Sequence, residues 1–125
     1  MELKSKLYLV NEKDEKFMGI GVLWLLEEIA RTSSLRKAAL VLGISYSKAY
    51  GMIENLETGL GLKMLERKRG GSSREGATLT EAAEKFVAAY RSFHLKAKER
   101  LEAPYQEFVD TFKKIAEETD EHKEL

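Results

Sequence analysis

Residues 33–60 read SSLRKAALVLGISYSKAYGMIENLETGL, two helical patterns with only Gly43 and Ile44 between the end of one and the cap of the next. In the first pattern Ser33 or Ser34 can accept a hydrogen bond from an unpaired amide, and Leu35, Ala38, Ala39 and Leu42 fall on one side before Gly43 stops the helix. In the second, Ser45 is the N-cap, and Ala49, Ile53, Leu56 and Leu60 recur at spacings of four, three and four, which makes them the inward stripe. So short a connection forces the two helices to cross steeply, and Ala38 and Ala39 supply the small side chains that a close crossing needs.

The outward face of the second helix is unusual in what it lacks. Ser47, Lys48, Gly51 and Asn55 point away from the stripe, Tyr50 lies on the flank and Tyr46 at the helix start. A polyanion can approach such small polar groups closely, whereas a face of long acidic side chains would repel it. Glycine inside a helix costs about 1 kcal/mol relative to alanine, so Gly51 needs an offsetting gain. Close approach to a DNA backbone or groove edge is one compensation, and packing against a neighbouring element is the other.

Upstream, Leu3 to Val10 alternates loosely and reads as a short half-buried strand, followed by a charged turn from Asn11 to Lys16. Val22, Leu25, Leu26 and Ile29 then mark a helix from about Gly21 to Thr32, with Trp24 at its margin. The pair Gly19 and Gly21 lacks the rest of a phosphate-loop fingerprint and marks a turn with close packing. Downstream, the segments Lys63 to Arg69 and Ala77 to Thr80 flank a Gly- and Ser-rich loop carrying Arg74, the composition of a hairpin with a basic tip. Arg67, Lys68 and Arg69 lie on the strand that enters it.

From Thr80, which caps, a long helical pattern carries Phe86, Val87, Tyr90, Phe93, Ala97 and Leu101 along one side. Pro104 removes an amide and collides with the carbonyl four residues back, which predicts a kink or break near Glu102 or Ala103, with Pro104 in the first turn of a final helix. Tyr105, Phe108, Val109, Phe112, Ile115 and Ala116 continue an apolar stripe that must be covered, either by the same helix of a second chain or by folding back. The expected organisation is a domain over residues 1–90 and a helical segment over 91–125, with Asp120 to Leu125 frayed.

The zero net charge conceals an asymmetry. Arg31 to Arg74 holds nine basic residues against three acidic, a balance of +6, while Glu99 to Leu125 holds four against nine, a balance of −5. A basic middle and an acidic tail of this kind are the electrostatic footprint to explain, either as nucleic-acid binding or as charged faces that are merely solvated, and the charge run alone favours the second. Other classes find little to work with. There is no Cys and only His94 and His122, so neither a disulfide nor a soft-ligand metal site is expected. No apolar run reaches the roughly 18 residues of a membrane span, and no signal peptide is evident, so a cytoplasmic protein is expected. No nucleophile with its base and no paired carboxylates stand out, so the chain does not read as an enzyme.

The run Gly19-x-Gly21, Leu25-Leu26-x-x-Ile29, Ser34-Leu35-x-x-Ala38-Ala39, Leu42 to Tyr50, Leu60-Gly61, Arg67, Gly70-Gly71 and Leu79-Thr80 resembles the DNA-binding half of the ModE-type molybdate-responsive regulators, which are related to the LysR-type helix-turn-helix proteins. The resemblance implies a mainly α fold with a small β-hairpin wing: a winged helix-turn-helix followed by a long C-terminal dimerisation helix. It implies a transcription regulator that binds double-stranded promoter DNA as a homodimer. Ser45 to Asn55 would be the recognition helix and Lys68 to Gly76 the wing.

On that reading Lys48, Arg67, Lys68, Arg69 and Arg74, with Arg36 and Lys37 as further candidates, contact phosphates. Tyr46, Ser47, Lys48, Tyr50 and Asn55 read base edges, and Ser45 caps the helix that carries them. Phe93, Leu101, Tyr105, Phe108, Phe112 and Ile115 would form the dimer contact. Full-length family members carry oxyanion-binding domains after this region, whereas 35 helical, acidic residues follow Tyr90 here. No cofactor and no oxyanion ligand are therefore expected, and the chain reads as a stand-alone DNA-binding form. The competing reading is a winged-helix protein-interaction adaptor that has lost DNA binding.

Overall fold

Asn11 sets the first element. Its side-chain Oδ1 accepts from the amides of Lys13 at 2.9 Å and Glu15 at 3.0 Å, and Asp14 adopts a left-handed φ of 64° that its short polar side chain tolerates. This turn joins β1 (Tyr8–Val10) to β2 (Lys16–Gly19) as an antiparallel hairpin in which Tyr8 faces Gly19 and Leu9 faces Met18. The sequence reading placed a longer strand at Leu3 to Val10 and stopped at the charged turn, so β2 is a correction. Four residues ending in glycine show no alternation, and only the pairing with β1 makes them a strand. The computed structural model describes residues 1–67 and 76–124.

β2 runs directly into α1 (Ile20–Thr32), which buries Val22, Leu23, Leu25, Leu26 and Ile29 and leaves Trp24 53% exposed. α2 (Leu35–Leu42) starts on Ser34, whose Oγ accepts from the Lys37 amide at 3.0 Å. It ends at Gly43, whose φ of 70° lets its N–H turn back to the last carbonyls. α3 (Tyr46–Leu60) repeats the device, with Ser45 Oγ accepting from the Lys48 amide at 3.0 Å and Gly61 at the far end. Ala38, Ala39 and Ala49 are each at most 2% exposed, the small residues that a close α2–α3 approach demands.

A second hairpin follows. β3 (Leu65–Arg67) pairs antiparallel with β4 (Ala77–Leu79), Leu65 facing Leu79 and Arg67 facing Ala77. Its base is tied down in three places. The Glu57 carboxylate accepts from the Met64 amide at 2.8 Å, and the Ala77 amide reaches the Ser33 carbonyl at 3.0 Å. The Thr80 hydroxyl donates to the Lys63 carbonyl at 2.7 Å while accepting from the Ala83 amide at 3.0 Å.

α4 (Glu81–Arg100) therefore begins where the hairpin ends, and its Ala83, Val87 and Tyr90 close the core. The largest fully buried side chains are Met18, Leu25, Leu26, Ile29, Leu56 and Met64. Each contributes about 1.5–3 kcal/mol of apolar burial. Arg91 of α4 adds an ion pair to Glu27 of α1 at 2.5 Å. The whole is a mainly α winged helix-turn-helix with a small β-hairpin wing.

By contact density the chain divides into a unit of residues 6–92 and a unit of residues 1–5 with 93–125. In the latter, α4 gives way at Leu101 to α5 (Glu102–Glu124). Pro104 explains where: it has no amide to donate to Arg100, so regular bonding ends at Arg100, slightly before the point the sequence indicated. Lys98 Nζ donates to the carbonyl of Ser5 and, at 2.6 Å, to its hydroxyl, fastening the N-terminus to this unit. Leu101, Tyr105 and Val109 are half-buried, whereas Phe93, Phe108, Phe112 and Ile115 are exposed.

Candidate nucleic-acid interface

α3 has one face without cover among the described residues. With Ala49, Ile53 and Leu56 buried, 100° per residue puts Ser47, Gly51 and Asn55 on the opposite side, and Ser47 and Asn55 are exposed. At Gly51 the volume a side chain would occupy is open to 4 Å among the described residues. Of the two explanations for a glycine here, packing against a described element is thus removed. A methyl at Gly59 would behave differently, lying 2.5 Å from Cγ and Cδ2 of the Phe17 ring. That glycine exists so that β2 can lie against α3.

Two flanks border the open face. On one, Lys48 and Asn55 share the lining of a cavity of about 300 Å³ with Lys16, Phe17, Met18 and Met52. Lys16 is a basic neighbour that the sequence reading left in a turn; only the packing of β2 on α3 brings it here. On the other flank Tyr46 and Tyr50 lie with ring centroids 6.3 Å apart and planes tilted by 37°. The Arg36 guanidinium carbon sits 4.5 Å from the Tyr46 ring centroid, and that of Arg67 sits 5.7 Å from Tyr50. Side chains of α2, α3 and β3 therefore form one row: Arg36, Tyr46, Tyr50, Arg67.

Lys37 is exposed on α2 beside Arg36, and its amide is the one capped by Ser34. The structure thus gathers Ser45, Tyr46, Ser47, Lys48, Tyr50, Asn55, Arg36 and Arg67 along the open face and flanks of α3, while Lys37 is placed only as an exposed residue of α2. Lys68, Arg69 and Arg74 lie outside the described residues. Arg31, part of the basic count, is held by Glu28 of its own helix at 2.7 Å and adds little to the field. No group of three or more metal-ligating side chains occurs among the described residues, and no helix among them is long and apolar enough to cross a membrane.

A helix cradled by a second helix across a short turn, with a two-stranded wing at its side, defines the winged helix-turn-helix class. Residues 21–84 match the family model for the bacterial regulatory helix-turn-helix proteins of the LysR family, just over half of the 125 residues. The chain belongs to that family.

Among known proteins it is 32% identical over 99 residues to the molybdenum transport protein ModE of Herbaspirillum seropedicae, covering 79% of this chain and 35% of the relative. It is 35% identical over 82 residues to the molybdenum-pterin-binding protein MopB of Rhodobacter capsulatus, covering 66% and 30%. The chain spans about a third of the length of these curated relatives. The DNA-binding domain of CbnR, solved in complex with DNA, superposes with a TM-score of 0.54 at 26% identity, over 66% of this chain and 88% of that one. Full-length LysG of Corynebacterium glutamicum gives 0.51 at 30%, over 66% and 26%.

Proposed function

We propose that this chain is a sequence-specific transcription regulator that binds double-stranded promoter DNA as a homodimer in the cytoplasm, with α3 in the major groove and the wing beside it. The open face of α3 carries the reading: Ser47, Gly51 and Asn55 leave room for a duplex, and Lys16, Lys48, Arg36 and Arg67 border it with basic side chains. CbnR, whose DNA-binding domain has been solved on DNA, shares the fold of this region.

In this mechanism Lys37, Lys48, Lys68, Arg69 and Arg74 neutralise phosphates and set the register of the protein on the duplex. Ser47, Lys48 and Asn55 meet base edges from the exposed face and Tyr46 and Tyr50 from its flank, an asparagine matching adenine and a lysine matching guanine. A two-fold dimer through Phe93, Leu101, Tyr105, Phe108, Phe112 and Ile115 would present two such helices about 34 Å apart, one turn of B-DNA.

Selecting bound fragments from genomic DNA with the purified protein tests this directly. A recovered two-fold motif with half-sites one turn apart is the expected result. Absence of duplex binding at low salt, on a heparin column or in a gel shift, would return the chain to the adaptor reading. The names of the two relatives concern molybdenum, so molybdate and tungstate are the first effectors to add.

A further inference from the structure

We infer that Arg36 and Arg67 are specificity-positioning residues, which orient Tyr46 and Tyr50 for base readout by stacking on their rings. The inference rests on the reading that α3 faces duplex DNA. It alters the role of both arginines, which charge alone would assign to phosphates.

The geometry is that of a clamped pair. Tyr46 and Tyr50 are one helical turn apart, 37% and 39% exposed, with centroids 6.3 Å apart. Left alone on a helix surface, each ring would sample several rotamers. Here a guanidinium caps each end of the pair, at 4.5 Å for Arg36 over Tyr46 and 5.7 Å for Arg67 over Tyr50, both inside the range of cation–π attraction.

A planar guanidinium can lie on a ring with its face and keep its edge N–H groups for other partners, which the compact lysine ammonium does not reproduce. The rings are then ordered before DNA arrives, so their orientation is not an entropy loss of binding. Arg36 comes from α2 and Arg67 from the first strand of the wing, so the position of each supporting element is also transmitted to the reading helix. A phosphate contact strengthens binding to every duplex alike. A positioning contact changes preference among duplexes, and this difference separates the two roles.

The experiment uses the full chain, the strongest duplex recovered by selection, its single-base variants and an unrelated duplex, over a range of salt. Arg36→Lys and Arg67→Lys keep the charge and remove the planar stack. Expected is a loss of discrimination between the best site and its variants of roughly two- to fivefold, the scale of an exposed cation–π contact, with salt slope and affinity for unrelated DNA unchanged.

Tyr46→Leu supplies the second arm. In that background the effect of Arg36→Lys on discrimination should shrink, because the ring it orients is gone. Unaltered discrimination in both lysine variants, equal weakening on all duplexes, or additive effects of Arg36→Lys and Tyr46→Leu would each overturn the proposal while leaving DNA binding intact. Failure of the unmodified chain to bind any duplex would overturn the functional reading, and this inference with it. Unchanged thermal unfolding of the lysine variants verifies that the fold is not the cause.

Discussion

The unit of residues 6–92 and the unit built on residues 93–125 treat apolar side chains in opposite ways. In the former, the stripes of α1, α2, α3 and the start of α4 meet one another, and Leu25, Leu26, Ile29, Leu56 and Met64 reach zero exposure. In the latter, α5 carries Phe108 at 59%, Phe112 at 46% and Ile115 at 55% exposure. The same helical period thus serves two ends. One stripe is satisfied inside its own unit, and the other is left exposed among the described residues. The lesson is that amphipathic spacing specifies that a face will be covered, while the partner is specified by topology.

Leu56→Ala attacks the closed side and should have the largest effect. It leaves a cavity at a fully buried position and should lower unfolding free energy by about 2–5 kcal/mol in a denaturant titration, independently of protein concentration. On the open side, the double replacement Phe108→Ser and Phe112→Ser should leave the first unit's unfolding in place. It should raise the dimer dissociation constant at least tenfold, an order-of-magnitude figure from the apolar area lost, as read by sedimentation. Equal stability loss at all concentrations would mean that these rings fold back within one chain.

Two glycines of one helix sharpen the contrast. Gly59→Ala drives a methyl into the Phe17 ring and should cost about 1–3 kcal/mol in thermal unfolding. Gly51→Ala enters open space, so stability should rise by up to about 1 kcal/mol while DNA affinity falls. A stabilised variant with unimpaired DNA binding would show that nothing approaches that face closely.

The smallest effect concerns Tyr90, whose hydroxyl burial pushes above the usual tyrosine range. With the folded value above the unfolded one, the neutral ring's contribution is whole below about pH 10 and is lost as pH rises through the raised value. Tyr90→Phe should remove that alkaline decline in a pH series of thermal melts.

The sequence made the two central helices legible because their ends are local events. Ser34, Ser45, Gly43 and Gly61 act within four residues of themselves, and a cap or a left-handed glycine is visible without knowing the rest of the fold. β2 escaped because its identity as a strand depends on pairing with β1 around the Asn11 turn. At the interface, the outward position of Ser47, Gly51 and Asn55 followed from helical period alone.

The Arg36–Tyr46 and Arg67–Tyr50 contacts did not, since they join residues 10 and 17 positions apart through a helix crossing and a strand start. Lys16 was hidden for the same reason. The Gly- and Ser-rich composition between two short segments indicated the hairpin whose root is β3 and β4, but nothing in the spacing of its basic residues indicated that Arg67 would lie beside Tyr50 of α3.

The Thr80 hydroxyl joins two parts that chain order alone would allow to drift. It gives its proton to Lys63, before the wing, and takes one from Ala83, inside α4. A single oxygen thereby works as a rivet through two plates, holding the base of the hairpin against the first turn of the long helix.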